Sequence, residues 1–276
     1  MSLTSSVTGF NPKELLKRFT APLLITLILL ASHLSFGILD SLGHLMTAIL
    51  ASFLTEAILH RFLFGSWRDL SSAYISGISA GILIRSPLYW PFALCAMLSI
   101  SSKYVFRYNG RHIWNPTNFG VVMILLFASD YAAVLSIQWG SQMWAMLVIW
   151  IVGLVTVYRA SRFHISAVYV LSFFFFGWIR SWITGDPYLA EISAITGPMY
   201  QLFVLFMITD PKTTVRSRNG RMWVAFMIAL VEFALRLSEA VYAPFYALFL
   251  VGPVAMVLED LWTTRNRPRS ESTHSL

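Results

Sequence analysis

The chain has 276 residues, of which 57% are hydrophobic and 12% are charged, whereas about a quarter of the residues in an ordinary soluble domain are charged. The formal net charge is +7, but the cations lie between long apolar runs, which is typical of loops that orient membrane helices and argues against a nucleic-acid partner. The single cysteine, Cys95, excludes an internal disulfide. The composition therefore predicts an all-α integral membrane protein.

Ten apolar segments follow one another along the chain, and most have the roughly 20 residues that a helix needs to cross a bilayer. They predict a cytoplasmic N-terminal segment over 1–20, one transmembrane domain over 21–262 and a cytoplasmic tail over 263–276. The segments lie near 21–39, 42–60, 71–84, 88–106, 115–129, 140–158, 163–180, 190–209, 222–237 and 241–261.

The cations favour one orientation of these segments. If the connections alternate between the two sides of the membrane, all but three of the 20 Lys and Arg residues fall on one side. The three exceptions are Arg85, Arg180 and Arg236. Because the cytoplasmic side carries the excess of cations, this count predicts ten spans with both termini in the cytoplasm.

Ten spans divide into two five-helix halves, 21–130 and 131–262. Because each half has an odd number of spans, the second half enters the membrane from the opposite side and is inverted relative to the first. "ISGISAGILIRSP" in the third segment and "ITGPMYQLFVLFMITDP" in the eighth are faintly similar. Small residues such as Ser76 and Gly77 favour either close helix packing or the lining of a central cavity. Thr196, Gly197 and Pro198 predict a break in the eighth helix, and interrupted helices in two inverted halves indicate a site at mid-membrane.

Two further stretches carry candidate binding residues. Asn115 and Asn118 open the fifth segment, either as a plain helix cap or as a site where backbone N–H groups receive an anion. Thr209 and Asp210 end the eighth segment just before a proline. The cations that follow set the orientation of the chain, and they can also neutralise Asp210, since an acid at a helix C-terminus needs compensation.

Several ionisable residues lie inside apolar segments, where charge is costly. Glu56 is in or near the end of the second segment. Glu232 and Arg236 are four residues apart in the ninth, so they can pair along one helix face, and a structural ion pair is the favoured interpretation. The histidines form no zinc-binding pattern, so no metal site is expected.

Three stretches resemble one family of membrane subunits, which comprises the D subunit of Rnf electron-transport complexes and the B subunit of the sodium-pumping NADH:quinone reductase. They are "SSAYISGISAGILIRSPLYWP…NGRHIWNPTNFGVVMILLF", "YRASRFHI" and "LFMITDPKTTVRSRNGRMWVAFMIALVEFALRL". The similarity covers roughly residues 70–262. It implies a fold similar to that of urea transporters, a bacterial cytoplasmic membrane, and a flavin-bearing subunit that works beside other membrane redox subunits.

The chain departs from that family in one connection. Family members carry a Ser-Gly-Ala-Thr motif between the fifth and sixth spans, and its Thr holds FMN covalently. Residues 128–142 here read "ASDYAAVLSIQWGSQ", which contains no threonine. Covalent FMN is therefore not expected, and the chain looks like the shorter relatives that lack the motif, including those of enediyne clusters.

The resulting expectation is an electron-transport subunit that binds flavin, either riboflavin or FMN, noncovalently or relays electrons with its partners. A transporter or channel for a small solute or a flavin-like molecule is the alternative, and an assembly subunit is a third. No self-contained enzyme active site is predicted, and the expected partners are the lipid bilayer, membrane redox subunits and, as an open alternative, further copies of the chain. The candidate cofactor-binding residues are Ser76, Gly77, Asn115, Asn118, Thr196, Gly197, Thr209, Asp210, Arg218 and Arg221.

Overall fold

A computed structural model describes residues 41–67, 69–134, 143–210 and 213–265, together with Thr26 and His33. Helices make up most of these ranges, so the predicted all-α class is confirmed. The helices are α1 (Leu42–Phe64), α2 (Ser71–Leu83), α3 (Trp90–Val105), α4 (Pro116–Phe127), α5 (Met143–Arg159), α6 (Phe163–Thr184), α7 (Tyr188–Ser193), α8 (Pro198–Leu202), α9 (Arg218–Leu237) and α10 (Ala243–Arg265).

The helices coincide with the predicted apolar segments from the second segment onward. The first segment, 21–39, lies outside the described residues except for Thr26 and His33. The polar connections that separate the apolar runs are therefore also where the helices end.

Three of the described helices, α1, α6 and α10, are long and apolar enough to cross a membrane. The eighth segment adds a fourth candidate if its two bent parts are taken as one span. Large apolar side chains are exposed along the outer faces of these helices, for example Leu54, Ile58 and Leu171. Such a surface is unusual for a soluble monomer and is typical of a protein that contacts lipid.

Short polar side chains start three of the helices. Ser41 caps α1, Asn115 caps α4 and Ser217 caps α9, and each side chain accepts a hydrogen bond from a backbone N–H of the first turn. In α4 the next residue is Pro116, which lacks an N–H and fits the first helical position. These caps satisfy N–H groups that have no partner within the helix.

A short hairpin connects α3 to α4. Its strands, β1 (Arg107–Tyr108) and β2 (Arg111–His112), pair antiparallel. The two residues between them, Asn109 and Gly110, have φ of 48° and 77°, and Asn-Gly is the pair that most readily adopts such a turn. The hairpin is fixed to the end of α10, because Tyr108 Oη donates to Asp260 Oδ2 at 2.8 Å.

The helices pack in two groups with a similar pairing pattern. In the first, α1 packs against α2 and α3, and α3 packs against α4. In the second, α6 packs against α7 and α9, and α9 packs against α10. Contact between α4 and α10 joins the groups, and one large apolar core runs through both.

The face of α2 that carries small residues packs closely on α1. A Cβ added to Gly77 would lie 2.5 Å from Ser52 Oγ and 2.8 Å from Ile49 Cα. One added to Gly81 would lie 2.7 Å from Leu45 Cδ1. Of the two interpretations of these small residues, the structure confirms close helix packing at both glycines.

The eighth segment is broken where Thr196, Gly197 and Pro198 predict it. Helix α7 continues into a 3₁₀ turn, Ala194–Thr196, and Gly197 is then extended, with φ −72° and ψ 147°. Helix α8 follows and runs into a π-helical turn, Phe203–Met207. The two parts are bent by 65°, because the extended residue interrupts the helical hydrogen bonds and Pro198 has no N–H to restore them.

Candidate functional site

A polar cluster forms where the eighth segment ends and α4 begins. Asn115 Nδ2 donates to Asp210 Oδ2 at 3.1 Å, while Asn115 Oδ1 accepts from the Asn118 N–H at 3.0 Å. The Asp210 carbonyl accepts from Thr214 Oγ1 at 3.0 Å and from the backbone N–H groups of Thr213 and Thr214. One asparagine thus caps α4 and holds the acid that ends the eighth segment.

Three arginines from different elements surround the loop after Asp210. Arg162 Nη1 donates to Thr214 Oγ1 at 2.5 Å, and Arg111 donates to the Thr214 carbonyl. Arg221 Nε donates to the Val215 carbonyl at 2.9 Å. We call these arginines, with Asp210 and Asn115, the arginine–aspartate cluster: Arg111, Arg162, Arg221, Asp210 and Asn115.

Glu259, near the end of α10, lies at one side of the cluster. Its carboxylate accepts from the Arg216 N–H at 2.5 Å and lies 3.6 Å from Arg111 Nη1. The cluster arginines therefore face two carboxylates, those of Asp210 and Glu259. Positive charge is in excess.

The charges in the cluster act on one another. Burial lowers the pKa of the Arg162 guanidinium, the positive charge of Arg221 lowers it further, and Asp210 acts in the opposite direction. Arg162 nevertheless stays charged, since an arginine side chain in a protein keeps its proton. The compensation predicted for Asp210 therefore comes from the Asn115 amide together with arginines supplied by other elements.

A narrow cleft lies beneath the polar groups of the cluster. Asn115, Thr214 and Arg221 stand at its polar side. Its other walls are mainly apolar and include Trp114, Ile165, Met207, Ile208, Val224, Ala225, Ile228 and Leu248. Guanidinium groups at the charged rim can hold an anionic group, because they bind phosphate and carboxylate well. The cleft itself has a cavity volume of about 20 Å³, which is room for about one water molecule.

The structure brings together only some of the predicted site residues. Asn115, Asp210 and Arg221 belong to the cluster, whereas Arg218 is exposed on the first turn of α9. Asn118 is buried and its Nδ2 donates to the Phe245 carbonyl of α10 at 3.2 Å. Thr209 Oγ1 donates back to the Leu205 carbonyl at 2.8 Å, so its hydroxyl serves the turn that precedes it.

The predicted mid-membrane residues have mainly local contacts. Ser76 Oγ donates to the Ser72 carbonyl, and Thr196 Oγ1 donates to the Ser193 carbonyl. Other residues of α2 and of the π-helical turn, Ile78, Ile82 and Leu205, do share an apolar cluster. The approach of Ser76 and Gly77 to Thr196 and Gly197 stays a prediction.

Sequence reasoning missed Arg111, Arg162 and Thr214 as site residues, because it counted the arginines only as orientation signals. The signal that could have found them is their position: each lies in one of the three stretches that carry the family resemblance. Lys103 was likewise counted among the cytoplasmic cations. It is also buried, with Nζ 3.8 Å from Glu56 Oε2 and 3.1 Å from Ser72 Oγ.

The predicted pair of Glu232 and Arg236 is not an ion pair in the structure. Arg236 pairs with Glu191 of α7, with Nη2 3.7 Å from Glu191 Oε2, and Glu232 accepts hydrogen bonds from Tyr169 and Tyr200. The reason is that α7 places a second carboxylate within reach of the arginine, which spacing along α9 alone cannot reveal.

No family model matches the chain, and no curated protein matches it.

Proposed function

We propose that the chain is a membrane subunit of an electron-transport system similar to the Rnf complexes and the sodium-pumping NADH:quinone reductase, and that it binds a flavin noncovalently at the arginine–aspartate cluster. It lies in the bacterial cytoplasmic membrane, crosses it ten times as two inverted five-helix halves, and has both termini in the cytoplasm. The arginine–aspartate cluster then faces the cytoplasm.

One observation supports this proposal most directly: the three stretches that carry the resemblance, far apart in the sequence, meet in one place. Arg111 comes from the first stretch, Arg162 from the second, and Asp210 and Arg221 from the third. Thr214, also in the third stretch, accepts hydrogen bonds from both Arg111 and Arg162. The residues on which the proposed family membership rests therefore belong to one local site.

The repeated pairing of helices supports the inverted architecture. Helices α1, α3 and α4 pack in the same succession as α6, α9 and α10, and α4 contacts α10 where the halves join. In two inverted halves of five, these are the second, fourth and fifth spans of each half. The broken eighth segment then takes the third position of its half, opposite α2.

The residues present suit the phosphate of a flavin mononucleotide. The guanidinium groups of Arg162 and Arg221 would hold the phosphate. For the ring to lie beside Trp114, the cleft, which has a cavity volume of about 20 Å³, must widen on binding. When bound, the flavin supplies the electron transfer, while the chain supplies position, charge and exclusion of water. Residues 128–142 hold no covalent flavin, since they contain no threonine.

Transport without redox chemistry is the second candidate, and the bent eighth segment favours it. The backbone is interrupted at Gly197, and four residues later the Gln201 side chain is buried, with Oε1 unpartnered among the described residues. Interrupted helices with nearby polar groups are typical of transporter binding sites. The ligand on this alternative is a small solute or a flavin-like molecule.

A reconstitution experiment separates the two candidates. Purified protein is mixed with FMN, passed through a desalting column, and examined by visible absorption before and after reduction with dithionite. A flavin that stays with the folded protein, reduces reversibly and is released on denaturation supports the electron-transport function. A colourless protein that carries riboflavin into liposomes supports transport and refutes the redox proposal.

A further inference from the structure

Glu232, in the second group of helices, is enclosed by tyrosines. It lies on α9 and is 1% exposed. Tyr200 Oη donates to Oε1 at 2.7 Å, and Tyr169 Oη donates to Oε2. Each carboxylate oxygen thus has a hydroxyl partner from a different helix.

The nearby arginines are engaged by another acid. Arg180 Nη1 lies 2.9 Å from Glu191 Oε2, and Arg236 Nη2 donates to the Glu191 carbonyl at 2.8 Å. Arg236 also lies over the Phe173 ring, 5.1 Å from its centroid. In the described part of the chain, the titratable and charged groups facing Glu232 are Tyr169 and Arg180 of α6, Tyr200 of α8 and Arg236 of α9, with Glu191 of α7 behind the arginines.

A narrow cleft between α6 and α9 leads to the acid. Its lining includes Phe173, Gly177, Glu232 and Phe233, and Arg180 and Arg236 also border it. The two arginine side chains are 20% and 15% exposed. Glu232 is therefore buried from lipid, and the cleft beside it is bordered by the two partly exposed arginines.

Glu56, in the first group of helices, offers a contrast. It is also fully buried and accepts from Tyr104 Oη at 2.7 Å. Its other oxygen, however, lies 3.8 Å from Lys103 Nζ. Glu56 thus has a cation close to its carboxyl group, whereas the partners of Glu232 are neutral hydroxyl groups.

We propose that Glu232, with Tyr169 and Tyr200, is a proton-binding site. A tyrosine hydroxyl can donate or accept. Both hydroxyls donate to the carboxylate, and after protonation one of them turns to accept from the new O–H of Glu232. Both carboxyl oxygens therefore keep a hydrogen-bond partner in either form of the acid, and in the protonated form the hydrogen of the tyrosine that accepts turns away from the acid.

The surroundings make the protonated form accessible. An acid buried among apolar side chains with no cation in direct contact is costly to keep ionised, and such acids within membrane helices often mark proton pathways. The step binds one proton to one carboxylate oxygen and changes the local charge by one unit. It needs no flavin, so it is independent of the proposed electron-transport function.

Carbodiimide labelling of the full chain tests the proposal. Dicyclohexylcarbodiimide enters bilayers and reacts with protonated carboxyl groups, and the labelled peptide is identified by mass spectrometry. The labelling is repeated at a series of pH values from about 9 to about 5, a range that includes pKa values documented for buried acids. Labelling of Glu232 should rise as the pH falls. Glu232→Gln should remove the label from that peptide, which controls for reaction at other groups.

Two variants sharpen the test. Tyr200→Phe removes a hydrogen bond to the ionised form, so the pH of half-labelling should move upward by about one to two units. In infrared spectra of the unlabelled protein, a protonated-carboxyl stretch that grows at lower pH should be missing in Glu232→Gln. Labelling of Glu232 that does not depend on pH overturns the proposal. So does the absence of both the label and the infrared band.

Discussion

At the scale of single residues, Asn115 has the most varied set of partners in the arginine–aspartate cluster. Its oxygen caps α4, its amide nitrogen holds Asp210, and the backbone that follows carries Pro116 at the first helical position. Asn115 and Asp210 are 95 positions apart in the chain. The sequence predicts that Asn115 caps a helix and that Asp210 needs compensation, but it cannot reveal that one side chain does both.

Asn115→Ala should destabilise the protein by about 1–3 kcal/mol, because it removes a helix cap and a hydrogen bond to a charged group. Unfolding by denaturant in detergent micelles measures the change. Asn219→Ala, at an exposed position in the first turn of α9, is the matched control and should change stability little. Equal effects of the two substitutions would contradict the role given to Asn115.

The contact of the Tyr108 phenol predicts how the stability of the protein depends on pH. Its hydrogen bond to Asp260 raises the pKa of Tyr108, as do desolvation and the negative charge of Asp260. Because the pKa is raised in the folded state, the stabilisation by this contact is complete below the ordinary tyrosine pKa of about 10 and is lost as the pH rises through the folded-state value.

Phenolate formation is followed by ultraviolet absorption as the pH is raised, in the native chain and in Tyr108→Phe. The difference between the two titrations should show that Tyr108 ionises above the ordinary pKa of tyrosine. Asp260→Asn should move that ionisation back to lower pH. A difference titration that is unchanged by Asp260→Asn would show that Asp260 does not hold the phenol.

At the scale of elements, the lengths of the apolar runs and the polar residues between them predict where the helices lie. Thr196-Gly197-Pro198 predicts the break in the eighth segment. The Asn-Gly pair at 109–110 indicates a hairpin. The lengths of the apolar runs do not reveal it, since the strands have two residues each. The π-helical turn after α8 has no sequence signal that we can identify. Lys103 shows the limit of charge counting, because burial beside Glu56 depends on the packing of α1 against α3.

The close contact of α2 with α1 predicts the effect of a single added methyl group. Gly77→Ala should destabilise the protein by about 1–3 kcal/mol, since the new Cβ overlaps Ser52 Oγ and Ile49 Cα and the core cannot accommodate it without backbone shifts. Gly252→Ala in α10 is the control, because a Cβ there meets nothing within 4 Å beyond its neighbours in the chain.

Thermal unfolding in the same detergent compares the two variants. Gly252→Ala should destabilise the protein less than Gly77→Ala, because its added contact is with the ring of Pro253, the next residue in α10, and not with a packed neighbouring helix. If Gly77→Ala is as stable as Gly252→Ala, the packing of α2 on α1 is looser than these distances imply.

At the scale of the whole molecule, the cation count and the repeated helix pairing lead to the same proposal of two inverted halves. Reporter fusions after Asp130 and after residue 265 test it. The first should report the outer side of the membrane and the second the cytoplasm, because five spans precede one site and ten precede the other. A cytoplasmic signal at Asp130 would contradict the division into halves of five.

Equilibrium binding of FMN and riboflavin to the purified protein, followed by flavin fluorescence, tests whether the arginine–aspartate cluster binds the phosphate of a flavin. Arg162→Gln should weaken FMN binding at least about tenfold, the usual effect of losing a hydrogen bond between charged groups. It should leave riboflavin, which lacks the phosphate, unaffected. Arg265→Gln, at an exposed position at the end of α10, should change neither. FMN affinity that is equal in the native chain and in Arg162→Gln, or no flavin binding at all, would contradict the account.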